Sequence, residues 1–163
     1  MMKIRVALLL VLLLPFSSHA QEFVEKPINK FPTLADFSSV SEFENNINEY
    51  VQECLYNSGG GSLVRRCFVS YELWDRELNH YYQLLYKSSD ESTKKLLIMS
   101  QRSWLKSRDD TIQFNSHLLD DKYNKQGTMY LAMRADEVNT IISPIIKNRA
   151  LLLKMWFELK GNH

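Results

Sequence analysis

Three consecutive glycines, Gly59 to Gly61, stand between the chain's two cysteines, Cys54 and Cys67, with an amphipathic apolar pattern on either side. A helix cannot run through such a triplet, because each glycine leaves the backbone too free for a helix interior. The chain must turn here. Upstream, Ser41 with Glu44 three residues on has the form of a capping box, and Phe43, Ile47, Tyr50, Val51, Cys54 and Leu55 fall on one helical face to about Tyr56. Downstream, Val64, Cys67, Phe68, Tyr71, Trp74, Leu78, Tyr82 and Leu85 recur at three and four, which predicts a long helix over 63–87. So short a turn predicts an antiparallel hairpin with Cys54 facing Cys67.

The N-terminus sets the redox context. Lys3 and Arg5 precede the apolar run Val6 to Phe16, and Ser18-His19-Ala20 supplies small residues at its exit, the pattern of a secretory signal peptide over 1–20. The run is about a dozen residues, short of the roughly 20 that span a bilayer. Cleavage after Ala20 leaves Gln21 first, with no lipid-accepting cysteine, so the expectation is a soluble periplasmic or secreted protein with no membrane anchor. In an oxidising compartment an even cysteine count is read as a disulfide. A redox pair has the tighter C-x-x-C spacing, and a nucleophilic thiol wants a neighbouring base, where this chain has only Arg65 and Arg66. Closing a loop of about 14 residues stabilises by roughly 3 kcal/mol.

The rest of the chain also has helical periodicity. Residues 21–40 carry Pro27 and Pro32 without a period and read as an extended lead-in to a domain over 41–160. Ser88-Ser89-Asp90 breaks the second helix, and a third over about 91–119 places Leu96, Leu97, Ser100, Trp104, Leu105, Arg108 and Ile112 inward. Asp120 to Gly127 reads as a polar loop, and a fourth helix spans about 128–142. Pro144 then either kinks it or opens a fifth helix that Gly161 stops. The fold class is all-α, a small bundle of about four to five helices opening with a disulfide-linked antiparallel hairpin.

Two motifs lie on the second and third helices. Cys67 is followed by Asp75-Arg76-Glu77-Leu78-Asn79, Tyr82 and Leu85, then by Gln101-Arg102-Ser103-Trp104-Leu105 and Arg108-Asp109. In that order and spacing the chain resembles the LprI-like lysozyme inhibitor family, with its pattern C, D-x-E-L-N-x-x-Y-x-x-L, then Q-R-x-W-L-x-x-R-D. The resemblance covers about Cys54 to Asp109 and extends loosely to Gly127, Arg149 and Leu153. Many members have two further cysteines where this chain has Ile112 and about Ile141. If the family's cysteines pair first with second and third with fourth, Cys54 and Cys67 remain an intact bridge. The resemblance implies an exported helical protein that binds a protein partner, lysozyme or another peptidoglycan hydrolase. An immunity or accessory module for a toxin or envelope factor is the alternative.

An inhibitor of such a hydrolase covers or plugs a cleft with two catalytic carboxylates. Two loops are candidates: Asn57 and Ser58 beside the proposed disulfide, and Asp120, Asp121 and Tyr123. The motif residues read better as structure, with Leu78, Tyr82, Leu85, Trp104 and Leu105 as core. Asp75, Asn79, Arg102 and Arg108 would form a polar seam between helices, Asp75 or Asn79 engaging Arg108. Enzymatic chemistry finds no support. The pairs Asp90-Glu91, Asp109-Asp110, Asp120-Asp121 and Asp136-Glu137 are adjacent residues, which do not face one another on a helix. No G-x-S-x-G elbow or S-x-x-K occurs, and His80, His117 and His163 are too scattered to hold metal. No cofactor is implied. Without Lys3 and Arg5, 18 basic residues face 19 acidic ones, and with no basic stripe nucleic acid is not an expected partner.

Overall fold

The computed structural model describes residues 25–161, so the signal peptide expected over 1–20 lies outside the described residues. Four α-helices account for most of them: α1 (Val40–Asn57), α2 (Ser70–Ser88), α3 (Glu91–Lys122) and α4 (Thr128–Gly161). Three short 3-10 segments, Ile28–Lys30, Leu34–Asp36 and Gly61–Cys67, complete the order, and the described residues contain no strand. The all-α class is as the periodicity indicates.

Each helix start has a local cause. The S-x-x-E pattern that opens α1 occurs twice in register, and the earlier copy is used. Ser39, in extended conformation, accepts from the Glu42 amide at 3.1 Å, and the Glu42 carboxylate accepts from the Ser38 amide at 3.0 Å. The expected cap at Ser41 is displaced by two residues, which brings Val40 against the core. Asp90 caps α3, accepting from the Thr93 amide at 2.9 Å. The Ser92 and Thr93 hydroxyls also donate to it, and these bonds hold its carboxyl far below the usual range. As pH falls, that contribution is full above the unfolded aspartate pKa of about 3.9 and is lost progressively toward the lower folded-state value.

Two long helices differ from their expected spans. The 63–87 helix is divided: Gly61–Cys67 is a 3-10 segment, Phe68 leaves the helical region at φ −83°, ψ 81°, and α2 begins at Ser70. Apolar residues at a three-residue interval suit a 3-10 turn as well as an α-helix, so Val64 and Cys67 do not tell the two apart. Beyond Pro144 the chain continues as one helix of 34 residues. Pro144 and Thr140 are both exposed, so water can satisfy the carbonyl that the proline's missing N–H leaves unbonded.

The second half of α4 runs beside α2 in the same direction, with Lys147 over the Trp74 ring at 5.8 Å and the Lys160 ammonium donating to Ser89 Oγ at 3.1 Å. α3 lies antiparallel to α4: Gln101 meets Arg149, and Asp120 and Lys122 pair with Arg134 and Glu137. Leu73, Ile146, Ala150 and Leu153 are fully buried between the helices. Phe43 of α1 packs edge-on to Trp74, ring centroids 5.0 Å apart. α2 has α4 as its main neighbour, and α1 meets the Gly61–Cys67 segment, on which α4 also packs, while its Phe43, Ile47 and Val51 enter the common core.

The expected extended lead-in is a packed strap. Phe31 and Leu34 are buried in the core, and Ile28 and Phe37 pack against it. Arg76 on α2 holds the strap, donating to the carbonyls of Ile28 at 3.0 Å, Phe31 at 2.9 Å and Pro32 at 2.6 Å. The same guanidinium pairs with the Glu77 carboxylate at 2.7 Å, and Glu77 is 1% exposed. Breaking a buried pair from one side leaves the other charge uncompensated. Arg76→Ala is expected to cost about 3–5 kcal/mol in urea unfolding and to open residues 25–38 to proteolysis; unchanged stability would show that the clamp carries no weight.

Candidate functional site

The Cys54–Cys67 disulfide forms as expected, with Cα atoms 5.4 Å apart. It joins the last turn of α1 to the end of the 3-10 segment, so the intervening residues leave and return at one fixed base. Gly59, Gly60 and Gly61 have φ of 64°, 82° and 71°, and nothing lies within 4 Å of where their Cβ atoms would be. The glycines are therefore required by backbone conformation and not by crowding. Asn57 donates to the Glu53 carbonyl at 2.8 Å and Ser58 to the Leu55 carbonyl at 3.0 Å. Both side chains fold back to close the end of α1. The residue that projects is Tyr56, 89% exposed, which the expected loop did not include.

Charge distinguishes this turn from the other candidate. Between Glu53 and Glu72 the chain carries Arg65 and Arg66 and no acidic residue. Both arginines are exposed, and Arg66 lies 3.6 Å from Glu25. The second expected loop is mostly helix, because α3 continues to Lys122 and only Tyr123 to Gly127 connect it to α4. Asp120 and Asp121 sit on the last turns of α3, where Asp120 pairs with Arg134. Tyr123 donates its hydroxyl to Glu137 at 2.8 Å, and Lys122 bonds the same carboxylate oxygen. Asp120, Lys122 and Tyr123 fasten α3 to α4.

The proposed polar seam has its four residues around one cleft between α2 and α3, which Asp75, Asn79, Arg102 and Arg108 all line. The pairing differs from the expected one. Asn79 donates to Asp75 on its own helix at 3.0 Å, while Arg108 bonds its neighbour Asp109 at 2.7 Å and lies over the Trp104 ring at 5.4 Å. Arg102 is exposed. Of the motif residues, Leu78 and Leu85 are buried, and Tyr82, Trp104 and Leu105 are half-buried.

The buried polar contact on this side belongs to Arg149. Its Nε and Nη2 donate to Gln101 Oε1 at 3.0 and 2.9 Å, and Nη2 also donates to Ser100 Oγ at 3.0 Å. The Trp104 and Trp156 rings lie 5.6 and 5.4 Å from its guanidinium carbon. Burial lowers its pKa, and among the described residues no carboxylate pairs with it. Two π-faces and neutral acceptors stabilise the cation instead. The partner Gln101 opens the second motif, whereas Arg149 stands far along the chain with no local pattern to announce it.

Among the described residues no group of three or more histidine, cysteine or carboxylate side chains is placed to hold a metal ion. A helical, disulfide-tied bundle whose apolar motif residues pack toward the core, with a cationic turn at the disulfide, is the class the described residues define. The family model described as Lysozyme inhibitor LprI matches residues 61–143, just over half of the 163-residue chain, and the chain belongs to that family. No curated protein and no solved structure matches the chain.

The Lys122–Tyr123–Glu137 cluster gives a pH prediction. The two donors hold the Glu137 carboxyl below its ordinary value, so its contribution is present above the unfolded glutamate pKa of about 4.3 and is lost as pH falls through the lower folded value. Hydrogen-exchange protection of the Tyr123 amide, which donates to the Leu119 carbonyl at 2.9 Å, should fall over that window once corrected for intrinsic rates. Glu137→Gln should show weak protection throughout, and a variant as protected as the parent at neutral pH would contradict the role of the cluster.

Proposed function

We propose that this protein is exported through a cleavable signal peptide over residues 1–20 and acts in the periplasm or outside the cell. There it binds a lysozyme or another peptidoglycan hydrolase and inhibits it by occlusion, with no chemistry of its own. Membership of the family supports the inhibitory role. Export is supported by Lys3 and Arg5 before the Val6–Phe16 run, and no described helix is long and apolar enough to cross a membrane.

The observation that carries the reading is the turn from Tyr56 to Arg66. A glycosidase cleft presents two carboxylates and aromatic or polar sugar subsites. A cationic projection with an exposed tyrosine complements it in charge and shape, and tyrosine and arginine are the residues that most often anchor an interface. The disulfide at the base restricts the turn before binding, which lowers the entropy lost on association. Asp120 and Asp121 at the α3–α4 end lack that complementarity, since their negative charge matches the sign of the cleft's carboxylates.

The test is clearing of a bacterial cell-wall suspension by several lysozymes and other peptidoglycan hydrolases, across a concentration series of the purified protein. Dose-dependent protection is expected against at least one enzyme. Tyr56→Ala should weaken it about 30-fold, the effect of removing an interface anchor, with an unchanged Tm. A folded sample that protects against none of them would contradict the reading.

A further inference from the structure

A second feature lies beside the 3-10 segment and shares only Arg65 with the projecting turn. A cavity of about 610 Å³ opens between the first turn of α2, the second half of α3 and the first half of α4. Its size is that of a small-molecule site. Asn115, Arg65 and Glu72 line it together with Ile112, Val138 and Ile142.

Asn115 is only 7% exposed, and among the described residues none hydrogen-bonds its side-chain amide. Among the described residues no buried side-chain nitrogen or oxygen is fully enclosed without a partner, so the amide has its remaining accessible surface on the cavity it lines. With no partner in the fold, the amide is free to hydrogen-bond whatever occupies the cavity, water or a ligand. Arg65 and Glu72 form no ion pair with a described residue. The nearby start of α2 has no side-chain cap, which adds positive potential there.

These groups divide the cavity chemically. The arginine and the uncapped helix start favour a carboxylate, and the glutamate favours an amino group. The asparagine amide offers one donor edge and one acceptor edge, the complement of a peptide bond. Isoleucine and valine leave room for an apolar side chain between them. We propose that the cavity binds a short peptide that carries both a carboxylate and an amino group.

Such a peptide has two sources, the stem peptides of peptidoglycan and the products of general proteolysis. Isothermal titration of the purified protein with the stem tripeptide alanyl-γ-glutamyl-diaminopimelate and, separately, with trialanine distinguishes them. Saturable binding of the stem peptide alone assigns the cell-wall source, and comparable binding of both assigns peptides in general; either supports the site. Asn115→Leu should lower affinity at least tenfold with Tm unchanged or raised, because the amide has no partner to lose within the fold. Glu72→Gln, at an exposed position, should lower it in the same direction without affecting folding. Absence of binding by both peptides at millimolar concentration, or parental affinity in both variants, would overturn the proposal. Inhibition of hydrolases is measured separately and does not enter either outcome.

Discussion

The bridge between Cys54 and Cys67 sets the geometry on which the projecting turn depends, because it fixes the last turn of α1 to the end of the segment that leads into α2. The end of α1 meets the Gly61–Cys67 segment, which in turn packs on α4, while Phe43, Ile47 and Val51 of α1 join the common core. Cys67 is fully buried and Cys54 nearly so, which places the covalent link inside the packed region. The three glycines can then adopt left-handed conformations in open space without loosening the helices on either side. Rigidity at the base and exposure at the tip come from the same bridge.

A second constraint acts at the other side of α1. Arg76 binds three strap carbonyls and one carboxylate, so a single side chain satisfies backbone acceptors of a segment that has too little regular structure to satisfy them itself. Arg149 plays a comparable part between α3 and α4 with neutral and aromatic partners. The family motifs surround these contacts. Their apolar members build the interior and their polar members line the α2–α3 cleft, a division that explains why the motifs define a fold more clearly than they define a binding surface.

Much of this was legible in the sequence. The all-α class, the approximate spans of α1 and α3, and the disulfide followed from periodicity, the glycine break and cysteine number. The strap was not, because Phe31, Leu34 and Phe37 make too short a pattern between prolines to signal burial, and its anchor is an arginine far away in sequence. The division at Phe68 was hidden by apolar spacing common to two helix types. Continuation through Pro144 depends on the exposure of the proline, which its identity does not reveal. For the candidate site, the turn was found from its glycines and its proximity to the bridge. Asn57 and Ser58 drew attention as polar loop residues, yet their side chains close a helix, and the projecting group is Tyr56. Side-chain direction at a helix end is decided by which carbonyls remain unbonded, and that depends on where the helix stops.

In the proposed reading the turn is a binding element that the bridge holds ready before it meets its target. The central claim is that the covalent base of the turn contributes to inhibition beyond its contribution to folding. The most direct measurement compares inhibition constants of the parent and the Cys54→Ser/Cys67→Ser double variant against a hydrolase the parent inhibits, at a temperature where both are folded by circular dichroism. The account predicts at least tenfold weaker inhibition by the variant with its helix content retained; equal inhibition constants would contradict it.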